Sequence, residues 1–190
     1  MSKFASLATP LGNGNGGDMI AAIESALARL RGLPLWSAGR AADMLWLALG
    51  ARHKAPTKRS PDREVGDFAL HVLCPWRISG SGGVITGRGD IYVPADPDED
   101  EADFRWDRPG RSIVDAQLRH WIDAHAAAPL RVTDIVVDRC AGFTLHLDQN
   151  VAIEVFPDAF AMPHDLREQW RLLSPGRDDP HFVVNNHGWS

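Results

Sequence analysis

The residues best suited to chemistry in this 190-residue chain are eight histidines, two cysteines and a scatter of carboxylates. The densest local pattern is His71-Val72-Leu73-Cys74-Pro75-Trp76-Arg77. An imidazole and a thiol at that spacing can meet one metal ion from a helix or turn, but on a strand they point to opposite faces. Two donors do not make a zinc site, which wants about four, or three and a water; His146, Asp138 and His181 are the residues that could complete it. The plainer reading binds no metal. It has His71 satisfied by a backbone partner, Cys74 buried as a small hydrophobe and Trp76 in the core.

A second set is His146 and Glu154, which share the polar face of two consecutive strand-like runs and could serve as an acid and base if the register brings them together. An exposed charge pair on a solvated face is the ordinary alternative. His120, Asp123 and His125 sit near the end of a helical run. The two histidines are five apart, which turns them away from each other by roughly 140° and breaks the spacing of a helical zinc site. A histidine at a helix end, favoured by the macrodipole, accounts for them. No nucleophile elbow is present, because Gly80-Ser81-Gly82-Gly83 lacks the strand-and-helix frame, and there is no Walker loop. Gly12, Gly14 and Gly17 match G-x-G-x-x-G, yet Ala8-Thr9-Pro10-Leu11 before them is not the buried strand a dinucleotide site needs. No cofactor is implied.

The third set is aromatic and charged. There are seven tryptophans against one tyrosine. Trp76-Arg77 and Trp170-Arg171 repeat one dipeptide, with Trp106-Asp107 between them. Indole and guanidinium stack favourably and are enriched at interface hot spots. Buried, each indole is instead a large core residue whose arginine reaches water or a carboxylate. Residues 96–103 are almost all acidic and include Asp98, Glu99, Asp100 and Glu101. Net charge is −5, divided into +4 over residues 1–95 and −9 over residues 96–190. A negative field over the second half opposes general nucleic-acid binding. The basic stretch Arg52, His53, Lys54, Lys58, Arg59 and Arg63 is the one place a polyanion could dock, although its prolines suit a solvated loop.

The elements that must position these side chains follow from periodicity. Residues 1–17 form a flexible lead, and 18–190 a single α+β domain. Helical spacing predicts one helix over Met19 to Leu30, stopped by Gly32 and Pro34, and a second over Ile113 to Ala128, stopped by Pro129. Met44 to Leu49 is apolar on both faces and is read as a strand, with a buried helix as the alternative. Residues 51–65 are expected as a polar loop, and Phe68–Leu73, Trp76–Ile78, Val84–Ile85 and Asp90–Val93 as short extended pieces. The clearest signal is a three-stranded antiparallel meander near 131–156, over Val132–Val137, Phe143–Leu147 and Val151–Phe156. Phe143, Leu145, Leu147, Val151, Ile153 and Val155 share its apolar face, and Asp148-Gln149-Asn150 makes its second turn. Gln169–Leu173 and His181–Val184 are late candidate strands. The expected fold is therefore α+β, a largely antiparallel sheet packed against two main helices.

Cysteine usage, the lack of an apolar run of roughly 18 residues and the polar N-terminus point to a cytoplasmic protein that is not membrane-bound. The runs Cys74-Pro75-Trp76-Arg77, Glu154-Val155-Phe156-Pro157, Glu168-Gln169-Trp170-Arg171-Leu172-Leu173 and His181-Phe182-Val183-Val184 resemble those of an uncharacterised group of small bacterial cytosolic proteins. The likeness spans roughly residues 33–184. It implies a stand-alone domain, with some similarity to the immunity-type proteins encoded beside bacterial toxins. Two functions follow as expectations. The first is a non-enzymatic protein-binding domain that docks on or neutralises a protein partner. It would bind through Trp76, Arg77, Trp106, Trp170, Arg171 and the acids Asp98, Glu99, Asp100 and Glu101. The second is a small hydrolase-like enzyme, metal-assisted or not, built from His71, His146, Glu154 and His181. Homodimerisation is compatible with either.

Overall fold

The computed structural model describes residues 16–56, 60–100, 102–158, 168–185 and 188–189. Helix α1 (Gly16–Ala28) carries Asp18 in its first turn, where a carboxylate suits the macrodipole, and buries Ile23 and Leu27, with Leu30 just beyond it. Gly32, at φ +76°, reverses the chain, a conformation that costs glycine least. From there the backbone bonds to the start of a distant strand: Gly32 N–H to Val132 O at 2.8 Å, Val132 N–H to Leu33 O at 3.0 Å and Leu35 N–H to Leu130 O at 2.7 Å.

Two antiparallel sheets and a short ribbon follow. The first sheet orders β1 (Leu35–Ala41), β2 (Met44–Leu49), β5 (Phe68–Val72), β11 (Glu168–Leu173), β12 (Phe182–Asn185) and β13 (Gly188–Trp189) side by side. The second orders β7 (Gly83–Gly87), β6 (Trp76–Gly80), β10 (Val151–Val155), β9 (Phe143–Leu147) and β8 (Val132–Val137). The ribbon pairs β3 (His53–Lys54) with β4 (Glu64–Val65). The α+β class with a largely antiparallel sheet is thus the observed one, and Met44–Leu49 is a strand. The meander has the expected register, with Val151 opposite Leu147, Ile153 opposite Leu145 and Val155 opposite Phe143.

Alternation explains the core. Leu45, Leu47 and Leu49, Leu70 and Val72, and Trp170 and Leu172 point inward from the first sheet. They meet Trp76, Ile78, Phe143, Leu145, Ile153 and Val155 from the second in one buried cluster, which Ile23, Leu27, Val114, Leu118 and Trp121 of the helices complete. The rings of Phe143 and Trp170 touch edge-on across the two sheets, with centroids 5.0 Å apart. Helix α2 (Ile113–Ala124) ends four residues before the expected limit, and His125 Nδ1 lies 2.8 Å from Trp121 O at its C-terminal end.

Two local expectations need correction. Residues 90–92 are not extended; they close a single 3-10 turn (Arg88–Tyr92), because the Asp90 carboxylate accepts from Thr86 Oγ1 at 2.8 Å and Gly87 N–H at 3.1 Å. Residues 51–65 are not all loop, since they contain the β3–β4 ribbon. Of the N-terminal lead, only Gly16 and Gly17 lie within the described residues, and they open α1. Among the described residues, no helix is long and apolar enough to cross a membrane.

Candidate functional site

The candidate residues occupy three separate surfaces. The first is the outer face of the six-stranded sheet. Strand pairing sets Gly39, Trp46, His71, Arg171 and Val183 in one row across five strands. On the same face Ala48 and Ala69 add apolar surface where an antiparallel sheet ordinarily meets water. The β3–β4 ribbon arches over it. Gly50 (φ +90°) turns the chain out of β2, Asp67 accepts from Ala51 N–H at 2.6 Å, and Gly66 lies so close to Leu49 O that a Cβ there would sit 2.3 Å away. Between ribbon and sheet a cleft of about 280 Å³ remains, with Trp36, Trp46, His71, Arg63, Val65 and Pro175 among its walls. Burial lowers the His71 pKa below its ordinary 6.5; the charges of Arg171, His181 and Arg63 push the same way, and Glu168 pushes back.

The second surface is the outer face of the five-stranded sheet. Glu154 lies opposite Arg77 and binds it at 2.5 and 2.6 Å through both carboxylate oxygens, while His146 lies opposite Ala152. The Arg77 hydrogen bond holds the Glu154 carboxyl below its ordinary range, with burial opposing and the Arg77 charge reinforcing it. Glu154 is therefore a committed ion-pair partner and a poor proton acceptor. Arg77 also stands over the Phe156 ring at 5.8 Å.

The proposed acid–base set is consequently divided. His71 and His181 belong to one sheet face, and His146 and Glu154 to the far side of the core. His71 and Cys74 do not converge either: the imidazole faces the cleft, whereas Cys74 is buried, its thiol pushed up to about 12 chiefly by that burial. Among the described residues, no group of three or more His, Cys, Asp or Glu side chains is placed to hold a metal ion. Trp76 and Trp170 need correction as binding residues. Both are in the core, because strand alternation turns the indole of each Trp-Arg dipeptide inward and its arginine outward. Trp170 Nε1 donates to Ala141 O at 2.9 Å, and Arg171 pairs with Glu168 at 2.6 Å.

The third surface carries the acidic run. Residues 93–112 leave the fold through a narrow neck closed by Ala95 N–H to Arg111 O at 2.8 Å and Ile113 N–H to Val93 O at 2.9 Å. Inside the neck lies Arg40 of β1, whose side chain is 1% exposed. Its guanidinium donates to both Asp115 carboxylate oxygens (2.8 and 2.7 Å), to Trp106 O (2.7 Å), Arg108 O (2.9 Å) and Ala42 O (2.9 Å), and to Ser112 Oγ (3.3 Å). Asp115, in the first turn of α2, also accepts from Gly110 N–H at 2.8 Å and Ser112 N–H at 3.3 Å. Burial raises its pKa, but the Arg40 hydrogen bond and charge and these two backbone donors outweigh it, and the carboxyl sits below its ordinary range.

Where this anchored excursion leaves the fold, Tyr92 (45% exposed) and Val93 (43%) join Trp106 (37%) of the excursion in an exposed apolar patch, with the Tyr92 and Trp106 rings in edge contact at 5.4 Å. Asp96, Asp98, Asp100 and Asp103 lie between Val93 and Trp106 in sequence. Glu99 is set apart from them, because it folds under and pairs with Arg111. Glu101 lies outside the described residues, as do Lys58 and Arg59 of the basic stretch. Reading the sequence missed Arg40, Tyr92, Trp36 and Trp46 as site residues. Only the Ser112-x-x-Asp115 start of α2 offered a local hint of the first. Compared with family models, with curated proteins and with solved structures, the chain gives no match.

Proposed function

We propose that this protein is a non-catalytic docking domain that binds a protein partner of basic surface through the 93–112 excursion. The observation that carries the reading is an exposed Tyr92–Trp106 pair, the Trp106 carbonyl tied to a buried guanidinium, on a segment whose sequence between the two rings is rich in aspartate. Surface loops are ordinarily mobile, and a mobile loop loses affinity to the entropy of ordering it. Arg40 removes much of that cost in advance. The aromatic pair offers the central anchor of an interface, and the aspartates offer the rim that steers a basic partner. Acidic immunity-type proteins engage basic nucleases by this kind of complementarity, and the sequence resemblance points the same way. His71 and His181 lie on a different sheet face from His146 and Glu154, so the four do not line one pocket, which favours the docking reading over the hydrolase alternative.

The test compares wild type with two variants, Tyr92→Ala/Trp106→Ala and Asp96→Asn/Asp98→Asn/Asp100→Asn, as baits in the same lysate. The reading expects a basic protein that wild type captures and the aromatic variant does not. With that protein purified, the on-rate falls steeply with salt for wild type, and is slower and flatter with salt for the aspartate variant. Equal capture by all three baits, or an acidic captured protein, removes the proposal.

A further inference from the structure

We propose that the cleft between the β3–β4 ribbon and the six-stranded sheet binds a small planar aromatic carboxylate. The cleft lies on a different sheet face from the polar Arg77–Glu154 surface and is distinct from the docking excursion. Its volume of about 280 Å³ lies just under the ~300–1,000 Å³ of typical small-molecule pockets. That suits one fused ring system with a short substituent.

Its walls specify the ring. Trp36 and Trp46 both line the cleft, beside Ala48 and Ala69. The position of Trp46 is built into the strand opposite: its indole lies on Gly39, where a Cβ would come within 2.5 Å of the ring. The Arg52 guanidinium holds Trp36 by stacking on it at 4.5 Å. Two indoles fixed by their neighbours offer flat, desolvated surface to a planar guest.

Its rim specifies the charge. Three described residues of the basic stretch lie at this cleft: Arg52 stacks on Trp36, His53 lies 3.5 Å from Pro175 O in the wall, and Arg63 is one of the lining residues. At the inner end His71 feels Arg171, His181 and Arg63 against Glu168 alone. Glu64 also lines the cleft, but it stands opposite Lys54 in the ribbon. Arg171 is already paired with Glu168, and Glu64 faces Lys54, so Arg52 and Arg63 add two further cations beside the apolar floor, and a guest with an anionic end is favoured over its neutral or cationic counterpart.

The probes are naphthoate, naphthylmethanol and naphthylmethylamine, which share a ring and differ in charge. Each is titrated into the full chain while the tryptophan indole N–H signals are followed by NMR. Naphthoate is expected to shift the Trp36 and Trp46 signals saturably and to leave those of Trp76, Trp121 and Trp170 in place. It should bind about tenfold more tightly than the amine, a difference of roughly 1.4 kcal/mol. Arg63→Gln, on an exposed side chain that the fold does not need, should erase most of that preference while the chain stays folded. Affinity for naphthoate should rise as pH falls through the His71 titration, since the imidazolium adds one more cation, and His71→Gln should weaken that pH dependence. No shift at about 1 mM naphthoate, equal binding of the amine, or shifts confined to Trp106 would overturn the proposal.

Discussion

Replacing Arg40 with methionine tests how the excursion is held. The substitution keeps an unbranched apolar stem and removes six hydrogen bonds. Taking one partner from a buried ion pair costs about 3–5 kcal/mol, because the other charge is left behind. Asp115 is 12% exposed and keeps two backbone donors, which moderates that figure. The carbonyls of Ala42, Trp106 and Arg108 each lose a donor, at about 1–3 kcal/mol where water cannot replace it. If the neck opens, water reaches them, so the full sum is not realised. A net loss of about 4 kcal/mol follows, or roughly 8–16 °C in Tm at 2–4 °C per kcal/mol for a chain of this size. Urea unfolding measures the loss. Limited trypsin digestion locates it, because Arg105 and Arg111 lie on the excursion and should be cut well before the sheets, while the Arg108–Pro109 bond resists the protease.

Two companions sharpen the result. Arg40→Met/Asp115→Leu should be less destabilised than Arg40→Met alone, since no charge remains unpaired. The gap between wild type and Arg40→Met should also depend on pH. The folded Asp115 carboxyl is held below its ordinary 3.8, so its contribution is present above that value and lost as pH falls through the lower folded pKa. An Arg40→Met protein within about 1 kcal/mol of wild type, with the excursion still resistant to trypsin, would refute the reasoning.

Two further outcomes are expected from the core. At pH 8 a thiol reagent should label exposed Cys140 and leave Cys74 untouched until the protein unfolds, because a thiol near 12 is almost wholly protonated there. Rapid labelling of both in the native protein would contradict the buried placement. Trp170→Phe should cost about 1–3 kcal/mol more than Trp76→Phe. Both lose similar ring volume, but the first orphans Ala141 O, whereas Trp76 Nε1 is buried with no hydrogen-bond partner among the described residues. Equal losses in thermal unfolding would show that the Trp170 hydrogen bond contributes nothing.

The meander was legible because its core face is written at period two: Phe143, Leu145 and Leu147, then Val151, Ile153 and Val155, all buried. The same alternation, applied to the two Trp-Arg dipeptides, settles which member faces the core once each lies on a strand. What periodicity cannot tell is which apolar face of a strand is left open. Met44 to Leu49 is apolar throughout, yet Trp46 faces the cleft while Leu45 and Leu47 are buried, and the difference is made by a ribbon whose strands are two residues each. Such strands are too short for any pattern to mark. Arg40 was hidden for a different reason. Its carboxylate partner is 75 residues away and three of its acceptors are backbone carbonyls, which leave no trace in side-chain spacing. The acidic run was visible as composition, but the neck and the inward turn of Glu99 were not.

The strand order has a consequence for how the chain is made. β5 sits between β2, which precedes it closely, and β11, which is some hundred residues further on. During synthesis at roughly 5–20 residues per second, the Ala69–Val72 edge emerges on the order of 5–20 s before its second neighbour exists. β6 waits similarly for β10. The first sheet can therefore close only when residues 168–189 arrive, and until then the nascent protein presents an apolar strand edge open to other chains. Efficient expression of this fold should depend on whatever shields that edge at the ribosome, and slowing translation should raise its aggregated fraction more than its equilibrium stability would suggest.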